Sequence, residues 1–236
     1  MSSLPSSMMF SLAKAKLLGK KKAPTGPILK ECEKFMETMF DAITSAHDVW
    51  RPAAYFIGIK INGPVAMGGP LQGPELGSMI TPFTATVTGI KGNAAKYAKA
   101  ISKGVGLAWS AFMAGVFVPG LPWYPSFAAV PGPRAPLMPN VPTPLAACAR
   151  GSVSALSTSN LVTYMNMSLG EPGDFSTELF ESIAAGLSLG FTVWVGGQVI
   201  MNVMGTGPVP TFAPPYVPVG PVSGGEALPT PGVLAA

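Results

Sequence analysis

Val118-Pro119-Gly120-Leu121-Pro122-Trp123-Tyr124-Pro125-Ser126-Phe127 opens a proline-rich run that extends to residue 145. Spaced prolines favour extended, polyproline-like backbone without internal hydrogen bonds. The carbonyls of such a run need water or donors from elsewhere. Read this way, the segment is an arm. It follows a helix predicted over about Asn93–Val118, which opens with Lys96, Lys99 and Lys103, is uncharged from Gly104 onward, and stops at Pro119-Gly120.

The same order of helix start, tryptophan and Pro/Gly run occurs on both sides. One copy runs from Phe40-Asp41-Ala42-Ile43 through Trp50 to Asn62-Gly63-Pro64 and Gly73-Pro74. Another runs from Phe180-Glu181-Ser182-Ile183 through Trp194 to Gly207-Pro208-Val209-Pro210-Thr211-Phe212. Units of this kind bury their apolar surface only when stacked. The expectation is a mainly α chain of three helix-plus-arm repeats with long irregular extended segments. Residues 1–27 form a basic N-terminal arm, 28–90 the first repeat, 91–170 the second and 171–236 the third. Trp50, Trp109 and Trp194 pack the helices together, and removal of residues 206–236 should leave that helical core folded.

Within this frame the arm holds a short basic helix near Leu12–Lys22. Ile28–Trp50 is an amphipathic helix, with Ile28, Cys32, Phe35, Met36, Met39, Ala42, Ile43, Ala46 and Trp50 on one face. Tyr55–Ile61 is strand or buried helix, residues 62–82 are irregular, and the alternating, Thr-rich Phe83–Ile90 is the best strand candidate. Ser152–Ser159 reads as a linker. Ser176–Met204 reads as the third helix, with Glu178 and Glu181 near its positive end.

Charged residues make up 11% of the chain, against about 25% in ordinary domains. The 28 glycines and 26 prolines approach a low-complexity composition, yet 48% of the residues are hydrophobic. A chain both stiffly punctuated and apolar needs protein or lipid as its neighbour. Charge is also split. Residues 1–34 carry seven lysines against Glu31 and Glu33, whereas residues 151–236 carry five acids and no Lys or Arg. Such asymmetry can order copies head to tail or set one end near an anionic surface. The N-terminus lacks the layout of a secretory signal, because its lysines follow the short apolar stretch.

No constellation points to catalysis, and none is nominated. His47 is the only histidine; its neighbours Ser45 and Asp48 do not share its helix face, so it reads as a rim residue. Cys32 and Cys148 show no metal-ligand spacing and read as buried thiols. Gly104-Val105-Gly106 and Gly205-Thr206-Gly207 lack the context of a phosphate loop. No cofactor is expected. Nucleic acid is not an expected partner, since the lysines are not interleaved with aromatics.

The aromatic–proline clusters carry the binding signal. Trp123, Tyr124 and Phe127, then Phe212 and Tyr216, set large rings beside rigid backbone that loses little entropy on docking. They are the expected interchain contacts. In Val118–Pro125 and in its helix-plus-Pro/Gly habit, the chain resembles small tailed-bacteriophage virion proteins of tails and baseplates. That resemblance implies a structural subunit, located in the virion and assembled in the host cytoplasm, whose partners are copies of itself and other structural proteins. It transfers no site residue. The alternative is an integral membrane protein with a two-helix hairpin at about 101–118 and 183–204.

Overall fold

A computed structural model describes residues 3–85, 87–123, 125–212 and 219–235. It holds helices α1 (Ser6–Leu18), α2 (Gly26–Trp50), α3 (Leu76–Ile80), α4 (Ala94–Gly115), α5 (Leu145–Cys148), α6 (Thr158–Leu169) and α7 (Ser176–Gly197). The strands are β1 (Tyr55–Phe56), β2 (Lys60–Asn62), β3 (Val65–Gly68), β4 (Leu71–Gln72), β5 (Val118–Pro122), β6 (Arg134–Met138), β7 (Thr143–Pro144), β8 (Val199–Ile200), β9 (Gly205–Pro208), β10 (Gly225–Ala227) and β11 (Leu234–Ala235).

The expected mainly α architecture of stacked repeats is therefore wrong; the fold is mixed α and β. Six strands form one antiparallel sheet in the order β5-β3-β2-β10-β9-β6. Its strands come from all three of the stretches read as repeats, so those stretches interleave instead of stacking. Two small sheets, β1-β4 and β11-β8-β7, and an isolated bridge between Val130 and Gly220 are also present among the described residues. The described parts of the proline-rich runs are not arms. Their backbone groups find donors and acceptors inside the chain: β5 pairs with β3, β6 with β9, and Trp123 N–H donates to the Pro64 carbonyl at 2.6 Å. The surface area, 10610 Å², sits close to the roughly 10,000 Å² of a folded monomer of this mass.

The strand expected near 83–90 is absent from the described residues. Thr81–Thr84 and Ile90–Gly92 are 3-10 turns. Pro82 suits the first turn of a helix and cannot donate to a ladder, and its effect outweighs the threonine alternation. Gly89, Ile90, Lys91 and Gly92 all have positive φ. The Glu31 carboxylate of α2 holds this left-handed turn through Ile90 N–H at 2.6 Å, at the entrance to α4. Ser152–Ser159 is not a linker but a 3-10 turn, Ser152–Leu156, followed by the Ser157 cap and first residues of α6. Residues 62–82, expected to be irregular, contain β3, β4 and α3.

The helices form the other layer. α2 matches the amphipathic reading, burying Phe35, Met36, Met39, Phe40, Ile43 and Trp50. α4 lies on α6 and α3, and α7 lies on α1 and α6. The N-terminal segment is a docked helix, with Met9, Ala13 and Leu17 fully buried. Gly186 permits this: a Cβ there would sit 2.5 Å from the Met9 carbonyl oxygen.

The charge asymmetry closes the chain on itself. Lys20 pairs with Glu181, Lys60 with Glu226 at 3.0 Å and Lys91 with Asp174 at 2.9 Å. Three of the five acids of residues 151–236 are thus paired with lysines from the first 91 residues.

Candidate contact surfaces and a sealed tryptophan cage

Trp50 ends α2, Trp109 lies in the last turns of α4, and Trp194 in those of α7. The structure brings all three together around His47. The His47 ring lies 4.5 Å from Trp194 and 5.2 Å from Trp109, both edge-on, and 5.8 Å from Trp50 in a stacked arrangement. Trp50 meets Trp109 edge-on at 4.8 Å, and Phe191 closes the cluster 5.2 Å from Trp109. Such aromatic pairs contribute about 0.5–1.5 kcal/mol each beyond area burial.

His47 is therefore not on a helix rim. It is fully buried, one turn before Trp50, in the apolar face of α2. Neither imidazole nitrogen has a hydrogen-bond partner among the described residues, nor has the indole N–H of any of the three tryptophans. Edge-to-face geometry offers π faces in place of acceptors. Burial, with the Arg51 cation adding to it, pushes the His47 pKa down to about 3. A neutral, enclosed imidazole with no proton partner is a packing group. Sequence reasoning missed its burial because His47 follows Ala46 in the apolar series and breaks that series only in residue type.

The nominated interface residues divide. Trp123 and Phe127 are buried inside the chain, their rings stacked at 6.0 Å. Gly205 of β9 leaves the space for Trp123, since a Cβ there would lie 2.6 Å from its ring. Phe212 is half-buried against the core. Tyr124 and Tyr216 lie outside the described residues. Cys32 and Cys148 are free and buried, and burial raises both thiols to about 11.

The exposed surface offers other candidates. Strand register assigns the outer face of the six-stranded sheet. Lys60 stands opposite Met67 and Glu226, Val65 opposite Asn62 and Pro122, Met67 opposite Pro119, and Glu226 opposite Thr206. Val65 and Met67 are 44% and 53% exposed. With Pro119 and Pro122 they make the half of this face nearest β5 apolar. The other half carries the Lys60–Glu226 pair and Arg134, whose Nε donates to Thr206 Oγ1 at 3.2 Å. Both edge strands carry prolines, Pro119 and Pro122 in β5 and Pro136 in β6. Proline at an edge cannot donate to an added strand.

On the helical side, an open groove of about 1040 Å³ runs between α1, α6 and α7. Leu12, Lys16, Ser159, Val162, Ser188 and Leu189 are among the residues lining it. Among the described residues no group of three His, Cys, Asp or Glu side chains is placed to hold a metal ion. One described helix, α7, is long and apolar enough to cross a membrane, and 61% of its apolar window is buried within the chain. The two segments of the hairpin alternative, 101–118 and 183–204, lie mostly in α4 and α7 and run past their ends at Gly115 and Gly197.

No protein-family model matches the chain, and no curated protein and no solved structure matches it either.

Proposed function

We propose that this chain is a structural subunit of a multi-chain assembly, joined to copies of itself and to other structural proteins through faces of a folded body. The proposed setting is a virion tail or baseplate, on the resemblance carried by Val118–Pro125. One observation carries the reading: the apolar half of the outer sheet face. An antiparallel sheet with one face on the core ordinarily turns polar residues outward. Here Val65, Met67, Pro119 and Pro122 stand together instead, with Phe117, 51% exposed, just before β5. Contiguous exposed apolar area of this kind marks an interaction surface.

Light scattering on the purified chain at tens of micromolar tests it. The wild type is expected well above its monomer mass of 24.2 kDa. The Val65→Lys, Met67→Lys double variant is expected to lose that sheet-face association while keeping its helical circular dichroism. A wild type that stays monomeric and soluble overturns the reading. Recovery of the chain only in a carbonate-resistant membrane fraction overturns it in favour of the membrane alternative.

A further inference from the structure

Four described non-glycine residues have positive φ: Ile90 at 51°, Lys91 at 53°, Phe175 at 61° and Asn202 at 60°. Asparagine visits the left-handed region readily. A β-branched or bulky side chain does not, and such a conformation persists only where its surroundings enforce it. The three unfavourable residues meet at one place. Ile90 and Lys91 lie in the turn that enters α4, and Phe175 immediately precedes α7. The Lys91 ammonium pairs with the Asp174 carboxylate at 2.9 Å and stands 5.8 Å from the centre of the Phe175 ring.

The posts on either side of this turn are fixed without it. Asp174 belongs to the α6–α7 loop, which α4 holds directly: the Tyr97 hydroxyl donates to the Asp174 carbonyl at 2.7 Å and Lys96 Nζ to the Glu171 carbonyl at 2.8 Å. On the other side Glu31 projects from α2 and accepts the Ile90 N–H. Between the posts, residues 89–92 have a glycine at each end, Gly89 at φ 101° and Gly92 at φ 82°. Glycines absorb large backbone changes at no steric cost. Beside the turn, a cleft of about 370 Å³ separates residues 87–89 from Glu31, Phe35 and Thr38 of α2.

We propose that residues 89–92 form a strap, held shut by Glu31 and Asp174 and released as ionic strength rises. The inference stands independently of the assembly reading. Left-handed strain at Ile90 and Lys91 favours release. Closure is favoured by the burial of Ile90, by a charge-assisted hydrogen bond from its N–H, and by one ion pair. Both partners of that pair are 54% exposed, so salt screens it. Release turns about Gly89 and Gly92, returns Ile90 and Lys91 to ordinary backbone, uncovers Ile90, and widens the cleft over Phe35. The α6–α7 loop stays in place, because Tyr97 and Lys96 hold it to α4.

Hydrogen exchange of the full chain, read by mass spectrometry, tests this. Between about 50 mM and about 1 M NaCl, exchange at residues 87–93 of the wild type is expected to quicken about threefold, the worth of one exposed ion pair. Amides inside α2 and α7 should not change. Glu31→Gln, which keeps an acceptor and loses the charge, is expected to quicken exchange of the strap more than about tenfold at low salt. Two further variants separate a strained strap from an ordinary salt bridge. Asp174→Asn and Lys91→Asn remove the same ion pair, but only Lys91→Asn also relieves the left-handed backbone. Asp174→Asn is expected to quicken strap exchange, and Lys91→Asn to slow it. Each should abolish the salt dependence. Strap exchange in the wild type that ignores salt overturns the proposal, and that measurement requires no variant to fold. Quickening in both asparagine variants also overturns it, since strain would then contribute nothing. Quickening spread evenly over α2 and α4 overturns it in favour of general unfolding.

Discussion

Trp109 and Trp123 are both buried, but their surroundings are built in opposite ways. Trp109 sits among rings supplied by helices: His47 from α2 and Phe191 and Trp194 from α7. Each helix fills the layer with its own side chains. Trp123 follows β5 and fills space that the strands leave empty, at Gly205 of β9, beside the Ile61 side chain of β2. The strands β9 (Gly-Thr-Gly-Pro) and β10 (Gly-Glu-Ala) contribute almost no side-chain bulk to the inner face. Their filling comes from Trp123, Phe127 and Val222, all outside the strands. A helical layer of this kind is specified by periodicity. The sheet layer is specified by where glycine is required and which loop residue lands on it.

The largest expected effect separates the layers by truncation. Removing residues 206–236 deletes β10, β11 and most of β9, so the sheet loses the strands that join β2 to β6. It also uncovers Ile61 and Trp123. A domain of ordinary stability is held together by only about 5–15 kcal/mol, so losing these strands is expected to unfold the chain. The truncated chain is expected to show no cooperative thermal transition by circular dichroism. A sharp melt with near-native helical signal would show that the helical layer stands alone, and the comparison would then be between two independent units.

The second effect belongs to the helical layer. Burial holds His47 neutral, with a folded pKa of about 3, below the unfolded value of 6.5. Between those values the unfolded chain binds a proton that the folded chain does not. Stability is therefore fully present above pH 6.5 and falls as the pH drops toward 3, by about 1.4 kcal/mol per unit. At pH 5 the loss is about 2 kcal/mol. His47→Phe keeps a ring in the cage and removes the titration. Urea denaturation of both chains at pH 7, 6 and 5 should give stability curves that converge at high pH and diverge on acidification, with the variant the more stable. Parallel curves would mean that the cage is wet or open.

These two effects explain what the sequence made legible. The apolar series from Cys32 to Trp50 runs at helical spacing, so α2 was readable almost to the residue. α4 and α7 were readable in their starts and overlong at their ends, because Val116–Val118 and Gln198–Met204 are as apolar as the helices they follow. The sheet was hidden. Proline and glycine report that a segment is not helical, but they do not distinguish an arm from a strand whose partner lies far along the chain. β2 pairs with β10 across more than 160 residues, and no local pattern encodes that. The three tryptophans were legible as helix-packing residues by their positions. The burial of Trp123 and Phe127 was not, because an aromatic beside prolines looks the same whether it docks on another chain or on its own Gly205.

The smallest expected effect on stability tests the edge prolines. Pro119 and Pro136 are exposed, on β5 and β6, and each takes one N–H away from an edge that could recruit a further strand. Replacing both with valine restores those donors, and valine suits extended backbone. The folded chain should therefore change by less than about 1 kcal/mol, as surface substitutions away from buried features usually do. Aggregation, followed by light scattering at fixed concentration and temperature, should instead accelerate, because two flat edges become templates. If the doubly substituted chain aggregates no faster than the wild type, the prolines are not what keeps these edges unpaired.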